Sequence, residues 1–224
     1  MKMAKDNNKE GIKMSRSSLA IALSKLKGFK TPKVWAEQYL TDSETAASML
    51  WKVYMDGSIA GKEIADLGAG TGILGLGAAL LGAKKAFLVE NDPETLEVCR
   101  ENLGFLKSEG LMARGAKIVA SDINDFHEKV DTVVENPPFG TKVRHADRDF
   151  LKKAFEIADN IYSLHKSESA DFIKSFSTEN QFILKEVIPF SYPLKATHKF
   201  HEKKIKRIEV SCFCFERKQQ LSKT

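Results

Sequence analysis

Short apolar runs alternate with amphipathic stretches along most of the chain, and this alternation sets the expected architecture. The runs of strand length predict β-strands near residues 62–66, 85–90, 116–120, 130–135 and 161–164. The amphipathic stretches predict helices near residues 72–82, 93–107, 149–160 and 167–177. Because strands that alternate with helices form βαβ units, the pattern indicates a mainly parallel sheet.

The N-terminal part is expected to be helical except for its first residues. Residues 1–14 are polar and basic, so we expect a disordered extension there, without the apolar core of a secretory signal. A helix near residues 16–27 leads to Gly28. A second helix is expected to begin at Thr41, because Thr41 and Glu44 match a capping box.

The C-terminal part predicts two last strands, near residues 181–190 and 205–215. A basic segment without a helix signal, Lys195–Lys204, joins them, and a connection of this kind suits an antiparallel pair. The 224 residues fit one α/β domain over residues 15–218, followed by a short tail at 219–224.

The composition bears on membrane insertion, metal binding and the cellular compartment. No apolar stretch reaches the ~20 residues that a membrane span requires, so we expect no membrane segment. The chain has three cysteines, of which Cys212 and Cys214 would share one face of a strand, as metal ligands or as buried structural thiols. A zinc site normally needs four ligands in spaced pairs, so we expect all three cysteines, including Cys99, to be structural thiols and no metal to be bound. Free thiols indicate a reducing compartment, and we expect the cytoplasm.

A glycine-rich turn follows the first strand of the predicted sheet. The segment Ile64–Gly72 runs from an apolar strand into Gly-Ala-Gly-Thr-Gly, and such glycines let the backbone approach a ligand at a helix N-terminus. The spacing differs from the nicotinamide fingerprint, whose third glycine would stand at Ile73. Glu90 ends the second strand, where its carboxylate could accept both hydroxyls of a ribose or remain a solvated charge.

The tetrapeptide Asn136-Pro137-Pro138-Phe139 follows the fourth strand. Each proline fixes its own φ and lacks a donor, and Pro138 favours an extended Pro137. The Asn136 side-chain oxygen and the Pro137 carbonyl could each accept one N–H of a planar exocyclic amine, while Phe139 stacks on the ring. With the glycine turn upstream, the tetrapeptide favours methylation of a planar nitrogen over a plain Pro-Pro turn.

Charge is distributed unevenly along the chain. Residues 1–33 carry a net charge of +7 and residues 191–224 carry +6, whereas the residues between them carry −8. Lysines interleaved with Phe200 and His201 indicate RNA contact more than a solvated tail. The residues predicted to bind RNA are Lys142, Arg144, Lys199, His201, Lys203 and Lys204.

The motifs together resemble the class I S-adenosylmethionine-dependent methyltransferases. More narrowly, Glu135–Lys142 (ENPPFGTK), Tyr162–Lys166 (YSLHK) and Lys199–His201 (KFH), with Glu37-Gln38-Tyr39 and Thr41, resemble the small methyltransferase-like enzymes, in their archaeal branch, that N6-methylate an adenosine of small-subunit ribosomal RNA. Leu40 departs from the family, which commonly has proline there, and we expect this to affect the entry angle of the next helix.

The resemblance implies a Rossmann-like class I methyltransferase fold, with a seven-stranded mainly parallel sheet, helices on both faces and an antiparallel last strand. It implies S-adenosylmethionine as the cofactor and direct methyl transfer to a flipped base, with Asn136, Pro137, Pro138 and Phe139 as the catalytic residues. The residues implied to bind the cofactor are Gln38, Thr41, Asp66, Gly68, Gly70, Thr71, Ile73, Glu90, Asp122 and Ile123. His165 and His201 are expected to be structural or RNA-contacting, since the chemistry needs no general base.

The family also implies a partner, a small zinc-binding activator protein that adds a strand to the sheet edge. In the usual strand order of the fold that edge is the strand near Ala116–Ala120, which is also open to protection by charge alone. Three other functions stay open: ribosomal RNA guanine-N2 methylation, protein glutamine-N5 methylation, and RNA binding without catalysis. Phe139, where glutamine-modifying relatives usually carry tyrosine, and the basic segments favour RNA.

Overall fold

The computed structural model describes residues 14–33, 37–111, 115–139, 146–193 and 207–219. The α-helices of this part of the chain are α1 (Arg16–Ser24), α2 (Ser43–Met55), α3 (Ile73–Leu80), α4 (Pro93–Ser108), α5 (Ala146–Ile157) and α6 (Ala170–Glu179). The strands are β1 (Glu63–Leu67), β2 (Lys85–Glu90), β3 (Ala116–Ala120), β4 (Thr132–Glu135), β5 (Asn160–Lys166), β6 (Phe182–Pro193) and β7 (Arg207–Arg217). Short 3₁₀ turns lie at Ile123–Asp125 and Ser167–Ser169.

The seven strands form one sheet in the order β3-β2-β1-β4-β5-β7-β6. The first five strands in this order are parallel, and β7 is antiparallel to both of its neighbours, β5 and β6. This arrangement confirms the predicted fold class, including the antiparallel last strand. It also confirms that β3 is an edge strand, as the usual strand order of the fold implies.

Apolar side chains cover both faces of the sheet. Helices α1 to α4 pack on one face, where Leu50 and Leu76 are completely buried, and α5 and α6 pack on the other, where Leu151 is completely buried. Strand residues alternate between the two layers, as Ile161 and Tyr162 of β5 do. The sheet is thus held rigidly from both sides, and its carboxyl end can present side chains in fixed positions.

The predicted start of α2 is wrong by two residues. The N-cap is Asp42, whose carboxylate accepts hydrogen bonds from the backbone N–H groups of Glu44 and Thr45 at 3.1 and 3.0 Å. Because this carboxylate takes the free donors of the first turn, the capping box of Thr41 and Glu44 does not form. Thr41 therefore lies just before the helix, and its hydroxyl is available for another contact.

Other boundaries differ by a few residues. α1 ends at Ser24, α5 begins at Ala146, three residues early, and the 3₁₀ turn at Ser167–Ser169 precedes α6. β5 is longer than predicted because all of its residues, from Asn160 to Lys166, pair with β7. The expectations for residues 1–13, 194–206 and 220–224 lie outside the described residues.

The cysteines are free and buried, and Cys212 and Cys214 lie on the same face of β7 as predicted. A hydrogen bond with Cys214, together with burial, raises the pKa of the Cys212 thiol above its usual range. Burial raises the pKa of Cys99 to about 12. Within the described ranges, no helix is long and apolar enough to cross a membrane.

Candidate active site

A cavity of about 330 Å³ opens at the carboxyl end of the sheet, where β1, β2 and β4 end. All of the residues predicted to bind the cofactor line it, together with two residues of the tetrapeptide, Asn136 and Pro138. Pro137 and Phe139 are not part of the lining. The remaining lining residues include Phe29, Tyr39, Asn91, Asp92, Ser121 and Phe150.

The turn after β1 requires glycine at two positions for different reasons. Gly68 has a φ of +65°, and a Cβ there would lie 2.7 Å from the Phe150 ring. Gly72 has a φ of +92°, and a Cβ there would lie 2.8 Å from the Cys99 sulfur. Gly68 therefore brings bare backbone to the cavity, whereas Gly72 packs against the core and is the N-cap of α3, without a side-chain hydrogen bond. These features fit a cofactor that is bound by backbone groups.

Glu90 holds this turn in place. One carboxylate oxygen, Oε2, accepts the N–H of Gly70, and the other, Oε1, accepts the N–H groups of Asn91 and Asp92, each at 2.9 Å. A carboxylate has about four lone-pair sites, so about one remains for a ribose hydroxyl. Glu90 thus has a structural role in the turn besides the predicted role in ribose binding.

Asp66 lies under the turn and is completely inside the protein. Its Oδ2 accepts the N–H of Gly75 at 2.7 Å, which ties β1 to the first turn of α3. Burial raises the pKa of Asp66 to about 8. The Gly75 hydrogen bond opposes this shift, and the charge of Glu90 adds to it. The side chain is therefore mostly protonated at neutral pH and adds little negative charge to the cavity.

The segment between α1 and α2 forms one wall of the cavity. Gln38 accepts the backbone N–H of Lys33 at 2.9 Å through Oε1, and its Nε2 donates to Thr95 Oγ1 at 3.4 Å. Phe29 lies against the glycine turn, since a Cβ on Gly70 would be 3.1 Å from its ring. Gln38 lines the cavity, and these bonds show that it also fixes the wall itself.

Sequence reasoning missed Asn102, which joins this wall to the glycine turn. Its Oδ1 accepts the N–H of Lys27 at 2.8 Å, and its Nδ2 donates to the carbonyls of Lys27 and Thr71 at 3.0 and 2.9 Å. The signal was present, because Asn102 stands three residues after Cys99 on the buried stripe of α4. A polar residue in an apolar stripe predicts a buried hydrogen-bond network.

Asp122 and Ile123 border the cavity where the chain leaves β3. The Asp122 carboxylate caps the short 3₁₀ turn by accepting the N–H of Asn124 at 2.9 Å, and it accepts Asn91 Nδ2 at 3.1 Å. The capped turn therefore fixes both residues at the cavity, where the resemblance implies that they bind the cofactor.

Asn136 combines a partnered nitrogen with an unpartnered oxygen. Its Nδ2 donates to Thr41 Oγ1 at 2.8 Å. Its Oδ1 is buried and has no hydrogen-bond partner in the part of the chain that the structure describes. The Phe139 ring lies nearly parallel to the Tyr39 ring, with 6.4 Å between centroids and 18° between planes. Tyr39 and the other aromatic residues of the wall had no predicted role.

A buried polar chain lies behind the tetrapeptide. Ser163 Oγ contacts both Glu135 Oε1 and His165 Nε2 at 2.7 Å. Burial lowers the pKa of His165 to about 3, and burial, opposed by the Ser163 hydrogen bond, raises the pKa of Glu135 to about 8. His165 is therefore a neutral structural residue that does not reach the surface, which agrees with the structural alternative predicted for it.

The residues predicted to bind RNA, Lys142, Arg144, Lys199, His201, Lys203 and Lys204, lie outside the described residues. The strands β6 and β7 flank the last four of these residues in the sequence, and their ends are described. β6 runs parallel to β5, and Lys166 and Phe190 both pair with Val210, so Pro193 and Arg207 lie at the carboxyl end of the sheet. The described residues on either side of 194–206 thus lie at the same end of the sheet as the cavity.

Comparison with known proteins identifies the family. The model of the methyltransferase small domain matches residues 30–200. The rRNA N(6)-adenosine-methyltransferase METTL5 of Danio rerio is 33% identical over 90% of this chain and 99% of its own length. The protein MJ0284 of Methanocaldococcus jannaschii is 31% identical over 91% of this chain and 95% of its own length.

A solved structure leads to the same family. The crystal structure of PH1948 from Pyrococcus horikoshii superimposes with a TM-score of 0.80 at 46% identity, covering 90% of this chain and 98% of that one. The comparisons confirm the predicted enzyme class and cofactor, a methyltransferase that uses S-adenosylmethionine. The chain belongs to the methyltransferase small domain family.

Proposed function

We propose that this enzyme methylates the N6 amine of an adenosine in small-subunit ribosomal RNA. The observation that carries the proposal is the buried Asn136 Oδ1, which has no partner within the described residues. A buried acceptor without a donor costs about 1–3 kcal/mol, so the site is stabilised when a ligand brings a donor. An exocyclic amine brings two N–H groups in one plane, and Asn136 accepts one of them.

The relatives support RNA and adenosine as the substrate class. The Danio rerio relative is named as an rRNA N(6)-adenosine-methyltransferase and matches nearly the whole chain. The small subunit is supported by the resemblance of the NPPFGTK, YSLHK and KFH segments to that branch of the family. Pro193 and Arg207 lie at the carboxyl end of the sheet, and the lysines between them in the sequence support contact with phosphates near the cavity.

Different residues of the site bind the cofactor and align the substrate. When bound, S-adenosylmethionine supplies an electrophilic methyl group on a sulfonium. The glycine turn, Glu90 and Asp122 hold and orient the cofactor. Asn136 Oδ1 and the Pro137 carbonyl align the amine, and Phe139 stacks on the extruded base. Alignment of this kind lowers a barrier by up to ~7–11 kcal/mol in favourable cases.

The amine proton does not need a catalytic base in this arrangement. Asn136 is neutral, and His165 is buried with a pKa lowered by burial to about 3. The proton of the methylated amine is therefore released to solvent after the transfer. We place the reaction in the cytoplasm, consistent with the three free thiols.

The test is labelled methyl transfer from S-adenosylmethionine to three substrates in parallel: small-subunit RNA, large-subunit RNA and ribosomal protein. The RNA is then digested to nucleosides and analysed by mass spectrometry. We expect N6-methyladenosine in small-subunit RNA, because adenine and guanine present different edges around the amine. N2-methylguanosine or methylglutamine as the product would instead assign the site to one of the alternative substrates.

A further inference from the structure

The segment before α2 contacts both ends of the N-P-P-F tetrapeptide. Thr41 Oγ1 accepts a hydrogen bond from Asn136 Nδ2 at 2.8 Å, and the Tyr39 ring lies nearly parallel to the Phe139 ring. One contact is polar and the other aromatic, so they are independent observations. The two side chains that would hold an amine and stack on a base are both supported from one short stretch of chain.

The backbone of this stretch is fixed on both sides. Glu37 has a φ of +51°, a conformation that non-glycine residues seldom adopt, and its carbonyl accepts the N–H of Tyr39 at 2.9 Å. On the other side Asp42 caps α2. Thr41 is only 5% exposed between these points. Its hydroxyl therefore has a defined position relative to the end of β4.

We propose that Thr41 and Tyr39 are positioning residues for methyl transfer: Thr41 acts through the Asn136 amide, and Tyr39 acts through the Phe139 ring. The inference rests on the proposed function and adds residues to it. It also gives Thr41 a role different from the cofactor binding that the resemblance implies.

The physical reason lies in the two ends of an amide. If the Asn136 side chain turned over, its N–H₂ group would face the N–H₂ group of the substrate, and two donors would meet. The Thr41 contact occupies Nδ2 and leaves Oδ1 for the amine. A stacked base likewise needs Phe139 in a defined plane, which the Tyr39 ring maintains from one side.

The experiment uses variants that remove one contact at a time. Thr41→Val keeps the shape of the side chain and removes the acceptor, and Thr41→Ser restores it. Tyr39→Ala removes the ring, and Tyr39→Phe restores it. We expect Thr41→Val to lower the single-turnover rate on small-subunit RNA by about 10- to 100-fold, the range in which misplacement of reacting groups acts. Cofactor affinity by calorimetry should stay unchanged, and both conservative variants should recover the rate.

Matched controls lie away from the cavity. Thr132→Val removes another buried hydroxyl, which donates to the Ser58 carbonyl at the amino end of β4, and Tyr54→Ala removes another stacked aromatic ring, next to Trp51. Neither side chain touches the tetrapeptide, so both variants should keep the wild-type rate. In an Asn136→Ala background, Thr41→Val should cause no further loss, because its effect passes through Asn136.

Each other outcome overturns the inference. Weaker cofactor binding at an unchanged rate would return Thr41 to the cofactor site, and a wild-type rate in Thr41→Val would remove it from both sites. Melting curves identify a variant that is unfolded, and Thr41→Ala then takes its place. A wild-type rate in Asn136→Ala would instead overturn the proposed function, so the two failures are distinguishable.

Discussion

The two halves of the active site differ in how their polar groups are satisfied. In the cofactor half, Glu90 accepts three backbone N–H groups, and Asp66 accepts the N–H of Gly75. In the substrate half, Asn136, which lines the cavity, keeps a buried oxygen without a partner in the described ranges. Most polar groups of the cofactor half are thus paired before the cofactor binds, whereas the Asn136 oxygen is left for the substrate.

The difference fits the two ligands. S-adenosylmethionine is the same in every turnover, so a site preformed from backbone groups can serve it. A base that must leave a stacked strand costs a few kcal/mol to extrude, and the unpartnered Asn136 oxygen adds a gain on binding that partly offsets this cost. Mutations in the two halves should therefore separate binding from chemistry.

The largest effect is expected in the substrate half. Asn136→Ala removes the acceptor for the amine and should lower the single-turnover rate by about 10²–10³-fold, the range measured when one preorganised polar group is removed from an active site. Cofactor affinity should remain that of the wild type, because Asn136 acts on the substrate. Rapid-quench methyl transfer and calorimetry on the same preparation measure the two quantities.

The matched control for this variant is Asn180→Ala, since Asn180 caps the end of α6 and does not line the cavity. It should leave both rate and affinity unchanged. If Asn136→Ala reacted as fast as the wild-type enzyme, the unpartnered oxygen of Asn136 would have no part in the chemistry. The difference between the two halves of the site would then have no functional consequence.

The second prediction addresses the cofactor half. Glu90→Ala should weaken S-adenosylmethionine binding by about 1.5–3 kcal/mol or more, because it removes a charged acceptor and also frees the N–H of Gly70. Glu90→Gln should have a smaller effect. The exposed Glu94, in the first turn of α4, offers Glu94→Ala as the control. Calorimetry that shows unchanged affinity in a folded Glu90→Ala variant would remove Glu90 from the site.

The cofactor half could be predicted from the sequence better than the substrate half, and the reason is local. The glycine turn, the preceding strand and the following helix are consecutive in the chain, so spacing alone places Gly68 and Gly72. Glu90 follows from the end of the next parallel strand. The structure adds that Glu90 binds the turn, which follows from the register of β1 and β2 and not from either segment alone.

The substrate half depends on contacts between distant segments. Thr41 and Asn136 are 95 positions apart, and nothing in either segment predicts their hydrogen bond. The capping prediction even assigned the Thr41 hydroxyl to α2, because Asp42 was not recognised as the stronger cap. The buried stripe of α4 marks Asn102 as a polar residue in the core, but its partners Lys27 and Thr71 lie in two other segments and could not be predicted from α4 alone.

The third prediction concerns the pH dependence of stability. Burial raises the pKa of both Asp66 and Glu135 to about 8, well above the values of an unfolded chain, about 3.9 and 4.3. Between these values the folded protein binds more protons than the unfolded one, so stability falls as the pH rises from about 4 to 8 and then levels off. Glu135→Gln removes one of the two titrating groups.

Urea unfolding between pH 5 and pH 8.5 measures this effect. In Glu135→Gln, the unfolding free energy should fall less steeply with pH, by up to the equivalent of about one bound proton. The variant should therefore gain stability relative to the wild type mostly at the alkaline end. The matched control is Glu179→Gln, which changes an exposed glutamate at the end of α6. Equal slopes for Glu135→Gln and the wild type would show that Glu135 ionises normally in the fold.

The smallest effect on chemistry is expected at the β3 edge, where we propose that the zinc-binding activator implied by the family resemblance adds its strand. The edge is partly charged: Lys117 is exposed, with its Nζ 5.5 Å from the centre of the Phe87 ring, while Val119 packs toward the core. A partner that binds only the folded chain raises its stability by mass action, yet two strands, β2 and β1, separate the edge from β4 and Asn136. We therefore expect co-elution and a higher melting temperature after co-expression, with the single-turnover rate unchanged.

Independent elution of this chain in size-exclusion chromatography, with undiminished methyl transfer, would show that β3 is protected by its own charges and that the enzyme needs no activator.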